Sequence, residues 1–231
     1  MFVNYAHRGA SHYAPENTMS SFYLGLTMGA NGIETDVQKT RDGKLVLFHD
    51  DTLERVCGVN GSVSDYTYDE LMQFRVHKNE HEDKIVLFED FLRYFGFRDL
   101  TFAIELKVGG IEKETAELLD KYGLCEKTII TSFEFEYIKE FRRIAPEYKI
   151  GWLKKDFCDD DIKAFSKTGG DQLCPEAQAM TPEKVKAWHD MGYSVRAWGV
   201  YNTDLMKHAC ECGADGMTVN FPDELTKYLE G

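Results

Sequence analysis

The stretch from Gly32 to Asp50, GIETDVQKTRDGKLVLFHD, holds two acids and one histidine between two β-type runs. In an extended strand, Glu34 and Asp36 at i and i+2 leave the same face, close enough to share one cation. The segment joining the runs, Lys39 to Lys44, contains Asp42-Gly43. It is too short for a parallel crossover, which needs about a dozen residues, so the runs should form an antiparallel hairpin. That hairpin turns His49 and Asp50 back toward the carboxylates. On its own, Glu-x-Asp describes a solvated strand face equally well.

Two further segments shift that balance. Phe2 to Ala6 reads as a short buried strand ending in His7-Arg8-Gly9, and Leu100 to Lys107, LTFAIELK, is a strand with Glu105 and Lys107 one same-face step apart. Three strands that each release ionisable groups at their carboxyl ends define one shared site in a barrel.

His7-Arg8-Gly9, Pro15-Glu16-Asn17-Thr18, Glu34-x-Asp36, His49-Asp50, Glu105-x-Lys107, Ser132-Phe133 and Trp198 stand in this order along nearly the whole chain. In this the sequence resembles the glycerophosphodiester phosphodiesterase family. The resemblance implies a TIM-type barrel, a divalent metal, and hydrolysis of glycerophosphodiesters to glycerol 3-phosphate and an alcohol. It also implies that Glu16 lies beside the site, that Trp198 lines the glycerol pocket, and that the region after the hairpin covers the barrel mouth. Where the family commonly reads W-T-V-N, this chain has Trp198-Gly199-Val200-Tyr201-Asn202, so the pocket's shape departs from the family's.

Glu34, Asp36 and Glu105 supply hard oxygen ligands suited to Mg²⁺ or Ca²⁺. Arg8 and Lys107 would orient phosphate oxygens. His7 and His49, titrating near neutral pH, suit proton transfer, His7 as base toward the attacking oxygen and His49 as acid toward the leaving alkoxide. The attacking group is either water or the substrate's own glycerol hydroxyl. Two other functions fit the same residues: a barrel that binds glycerol phosphates without cleaving them, and a phosphodiesterase acting on lysophospholipids. The polar run HKNEHED at 77–83 offers little apolar surface for the latter.

A chain of 231 residues, 43% hydrophobic, fits one globular domain spanning 1–231, near the usual barrel length of about 250 residues. The net charge of −13 opposes nucleic acid or anionic lipid as partner. It also predicts dependence on a cation, because a phosphodiester is itself an anion. No stretch reaches the roughly 18 apolar residues of a membrane span, and the beginning of the chain lacks a basic, apolar leader. The six cysteines show no disulfide framework, which suits the cytoplasm. Cys210-x-Cys212 lacks the partners of a zinc site.

Alternating strand and helix argue for a parallel sheet. Strands are predicted at 3–7, 32–36, 101–107, 128–133, 149–153, 171–175, 193–199 and 216–220; eight strands close a (β/α)₈ barrel, with a doubly wound sheet as the alternative. Helices are predicted at 111–122, 135–145, 159–168, 181–191, 203–212 and 223–229. Pro15 should open a helix running to Met28, with Glu16 favouring its amino end. In the 51–98 insertion, only 68–74 and 88–97 read as helical, and 77–83 reads as a solvated loop. Gly213 to Gly216 reads as a helix stop at the amino face of the barrel, His12, His189 and His208 as structural, and Asn220 as facing the site.

Overall fold

The computed structural model describes residues 2–231. Eight parallel strands form the barrel: β1 (Val3–His7), β2 (Gly32–Lys39), β7 (Thr101–Leu106), β8 (Thr128–Ser132), β9 (Lys149–Lys154), β10 (Gln172–Pro175), β11 (Ser194–Val200) and β12 (Gly216–Val219). Each pairs with the next, and β1 pairs with both β12 and β2, closing the ring. Six helices follow the later strands: α5 (Glu112–Lys121), α6 (Phe135–Ile144), α7 (Asp159–Lys167), α8 (Pro182–Asp190), α9 (Thr203–Glu211) and α10 (Pro222–Glu230). Every predicted barrel strand and every one of these helices is present, with ends shifted by no more than a residue or two, except that β2 runs on to Lys39. The doubly wound alternative falls away because β1 joins both ends of the strand order.

The hairpin also forms. β3 (Leu45–Leu47) returns antiparallel to β2, pairing Lys39 with Leu45 and Val37 with Leu47. Its other edge takes the short strand β6 (Val86–Leu87).

Two local expectations are corrected. The first helix, α1, spans Met19–Thr27 and does not begin at Pro15. Thr18 caps it, its side chain accepting from Ser21 N while Ser21 reciprocates at the cap backbone. Upstream, Arg8 and Asn17 adopt left-handed backbone (φ 54° and 56°), and Asn17 N donates to Arg8 O, so residues 8–17 form a wound loop. Glu16 therefore does not complement a helix end. The run 77–83 is not a bare loop either, because β4 (Val76–Lys78) and β5 (His81–Asp83) pair as an exposed hairpin turning at left-handed Asn79. The rest of the insertion holds the short helices α2 (Glu54–Cys57) and α3 (Tyr68–Leu71), less than the predicted 68–74, and then α4 (Phe88–Phe95). Val46, Phe48, Leu53, Val56, Leu71 and Ile85 make a small apolar core of their own here, which accounts for order in so polar a segment.

Between barrel and helices, Phe22, Phe91, Phe95 and Phe102 pack edge-on or tilted with centroids 4.8–5.8 Å apart. Burying each ring contributes about 1.5–3 kcal/mol. The loop that carries Arg8 is pinned against α1 at Gly9, whose φ is +83°, and a Cβ there would come within 2.4 Å of Ser21. Gly9→Ala should therefore lower the unfolding free energy by about 2 kcal/mol or more. Urea titration reads this as a lower midpoint at unchanged slope.

Candidate active site

The eight parallel barrel strands present their carboxyl ends to one mouth. β2 lies between β1 and β7 in a register that sets His7 beside Glu34 and Asp36 beside Glu105. The strand's period of two then turns Glu34, Asp36 and Glu105 into the barrel, where all three are buried. Oxygens of these carboxylates lie within 4.8 Å of one another. Burial, and repulsion from Asp36, push Glu34 well above the ordinary range and raise Glu105 as well. Burial also opposes ionisation of Asp36, but Arg8, His49 and Lys107 outweigh it and hold this carboxyl low.

Arg8 Nε sits 3.2 Å from Asp36 Oδ2, and Lys107 Nζ donates to Glu105 Oε1 at 2.8 Å. Asn17, in its left-handed turn, donates to Asp36 Oδ2 (2.9 Å) and accepts from Thr35 Oγ1 (2.7 Å). These contacts fix one face of Asp36. The other oxygen, Oδ1, is buried without a hydrogen-bond partner. Three oxygen-donor acids, two pushed toward protonation by crowding and one with an unsatisfied oxygen, make a donor set that fits a hard divalent cation.

Both histidines reach the same cavity, of ≈ 250 Å³. His7 Nδ1 donates to Asn220 Oδ1, which also accepts from Ser11 Oγ. Desolvation inside the cavity and then the Arg8 charge lower His7 below the near-neutral range expected of it; with Nδ1 donating, the lone pair of the neutral ring lies on Nε2, 3.8 Å from Glu34. His49 Nδ1 lies 2.7 Å from Asp50 Oδ1. Burial opposes ionisation of Asp50, yet hydrogen bonds from Arg55 and His49 hold it down at about 2. Arg55, on α2, also grips Glu16 with both terminal nitrogens, and Glu16 in turn holds Arg8 at 2.9 Å.

The opposite wall is apolar. Ser132 Oγ bonds to Leu106 O and leads the chain into Phe133, whose ring meets Trp198 edge-on at 4.9 Å. Trp198 Nε1 donates to Lys154 O. The departure at 198–202 has a structural form: β11 pairs Ala197 with Met217 and Val200 with Val219, so one extra residue bulges out, with Gly199 at φ +70°.

The structure thus brings His7, Arg8, Glu34, Asp36, His49, Glu105, Lys107 and Trp198 to one mouth, with Glu16 one ion pair away. Sequence reasoning left Arg55, Asn17, Tyr201 and Arg196 without roles. Arg196 lines the cavity floor while almost wholly buried, donating to Gln172 and Thr218 over the Tyr5 ring. The alternation of β11 sets it on the inward face, two residues before Trp198. His12, His189 and His208 make packing or structural contacts: His12 with Tyr13 and Phe221, His189 with Asp215, and His208 with Met180 O and Cys212 Sγ.

An eight-stranded α/β barrel with carboxylates, histidines and cations gathered at its carboxyl mouth defines the class: a parallel α/β barrel whose mouth combines acid–base groups with a donor set that fits a cation. Within that class the chain belongs to the glycerophosphoryl diester phosphodiesterase family, whose family model matches residues 7–224. It is 31% identical to a glycerophosphodiester phosphodiesterase of Bacillus altitudinis over 98% of this chain and 97% of that one. To the enzyme of that name from Caldanaerobacter subterraneus subsp. tengcongensis it is 30% identical over 97% and 96%. A phosphodiesterase of Oleispira antarctica, solved with its product sn-glycerol-3-phosphate, shares the fold with a TM-score of 0.90 at 23% identity, covering 100% of this chain and 97% of that chain. No helix among the described residues is long and apolar enough to cross a membrane.

Proposed function

We propose that the protein hydrolyses small, water-soluble glycerophosphodiesters, such as glycerophosphocholine and glycerophosphoethanolamine, to sn-glycerol 3-phosphate and the free alcohol, using Mg²⁺ or Ca²⁺. The observation that carries this reading is the pair of imidazoles on one cavity with the carboxylate trio, each with Nδ1 anchored and Nε2 left for proton transfer. Glu34, Asp36 and Glu105 would hold the cation, which when bound supplies charge neutralisation at a non-bridging phosphate oxygen. Arg8 and Lys107 orient the remaining oxygens. His7 Nε2 takes the proton of the attacking hydroxyl as the new P–O bond forms, and His49, backed by ionised Asp50, gives a proton to the leaving oxygen as the old bond breaks. The attacking hydroxyl belongs either to water or to the substrate's glycerol; in the second case a cyclic phosphate forms first and water then opens it. The six unpaired thiols support a cytoplasmic setting.

The test is release of glycerol 3-phosphate from both diesters by metal-stripped protein, with Mg²⁺, Ca²⁺ or nothing added back. Product only with added cation is the expected result. Folded protein that binds the ion and releases nothing with either would move the reading to a non-catalytic glycerol-phosphate binder.

A further inference from the structure

His49 sits where the chain has already left its strand. β3 ends at Leu47, and beyond it Gln38 steadies the main chain, donating to Phe48 O at 3.1 Å and to Asp50 O at 2.8 Å. The side chains are fixed by a different group. His49 Nδ1 lies 2.7 Å from Asp50 Oδ1, and among the described residues the only other donors on that carboxylate are Nε and Nη2 of Arg55. The same guanidinium turns its outer edge to Glu16, Nη1 donating to Oε2 at 2.8 Å and Nη2 to Oε1 at 2.6 Å. Glu16 Oε1 also accepts from Arg8 Nη1 at 2.9 Å. A run of charge-assisted contacts thus leads from the Arg8 loop through Glu16, Arg55 and Asp50 to His49.

The two ends of this run differ in rigidity. Arg8 is nearly buried and keeps buried Asp36 at its Nε, 3.2 Å away, whatever happens to Glu16. His49 has only Asp50 to aim it, and Asp50 only Arg55 to hold it. Neither Arg55 nor Glu16 is among the residues that line the cavity, so both act through others. A guanidinium suits the place, because its planar fork fixes two carboxylates at once, which the single ammonium of lysine does not. Arg55 is also half exposed, whereas α2 buries Val56 and Cys57 in the small core of the insertion. Truncating Arg55 therefore leaves that core intact.

We propose that Arg55 is a positioning residue for departure of the alcohol: braced on Glu16, it fixes Asp50 and so aims His49 Nε2 at the leaving oxygen. This rests on the hydrolase reading above and deepens it. His49 gives its Nε2 proton to the bridging oxygen as that P–O bond breaks and the alcohol leaves neutral; a p-nitrophenolate leaves as the anion and needs no proton. The test compares glycerophosphocholine with the p-nitrophenyl ester of glycerol 3-phosphate on the metal-loaded full chain. Arg55→Ala should lower kcat for the choline ester about 10-fold, with KM and the rate on the nitrophenyl ester each within about 2-fold of wild type. Glu16→Gln should shift the rates in the same pattern, and Arg55→Lys should recover part of the loss. Arg55→Ala combined with Asp50→Asn should cost little more than the worse of the two alone, because both act on one imidazole. Circular dichroism confirms that the variants are folded. Equal losses on the two substrates, a raised KM at unchanged kcat, or losses that multiply in the double variant overturn the role of Arg55 while leaving the hydrolase reading in place. No product from either substrate with wild type overturns the hydrolase reading and the role of Arg55 with it.

Discussion

Replacing either His7 or His49 with alanine leaves a folded protein whose turnover of glycerophosphodiesters falls on the order of 100-fold or more. The fold should survive because neither ring is a core element: both are close to one-third exposed. Each partner also keeps another contact after truncation, Asn220 with Ser11 and Asp50 with Arg55. Asp50→Asn should cost less, about 10-fold, because it alters only the group that orients and charges His49. The sign of the pH effect follows from Asp50 being held at about 2. Its stabilising contribution is fully present above the ordinary aspartate range and disappears only as pH falls toward 2. Any acid limb seen in the rate between pH 5 and 7 therefore belongs to other groups. Purified variants with wild-type circular dichroism and near-wild-type rates would remove both histidines from the mechanism.

The barrel was legible because its strands are short apolar runs broken by turn residues, and because a period of two decides on sight which side chains face inward. Glu34-x-Asp36 and Glu105-x-Lys107 needed nothing more than that period. The start of α1 was not legible by the same means. The rule that favours proline in a first turn is local, whereas the shape of residues 8–17 is set by left-handed Arg8 and Asn17 and by a Ser21 hydroxyl that bonds back to Arg8 O. The 77–83 hairpin was hidden for another reason. Its residues are polar on both faces, so no alternation marks it, and it is held by pairing and by neighbours such as buried Val76.

Within the site, what stayed out of reach was tertiary. Arg55 joins Glu16 to Asp50 from a four-residue helix, and no spacing in the sequence links those three. Arg196 runs against the expectation that arginine stays outside; it is accommodated because Gln172, Thr218 and Cys174 receive its N–H groups and Tyr5 faces its plane.

Metal removal is expected to have an effect at least as large as loss of either histidine. Chelator-stripped protein should lose at least about 100-fold in activity and recover it with Mg²⁺ or Ca²⁺, while Asp36→Asn should lose as much and not be rescued. The carboxylate trio predicts a second readout that needs no substrate. Burial and mutual repulsion raise Glu34 and Glu105, so above the ordinary glutamate value of 4.5 the folded state keeps protons that the unfolded chain has released. As pH rises from there toward the raised values, these two groups make the metal-free protein progressively less stable. A bound cation takes the place of those protons, so the metal-loaded protein should lack that slope. It should also melt higher, by about 5–10 °C at a cation concentration near 100 times Kd, which corresponds to about 2.7 kcal/mol. Glu34→Gln with Glu105→Gln should flatten the slope in the stripped protein and abolish the cation-induced shift together. Parallel melting curves with and without cation from pH 5 to 8, in protein that remains active, would place the ion elsewhere than on these three acids.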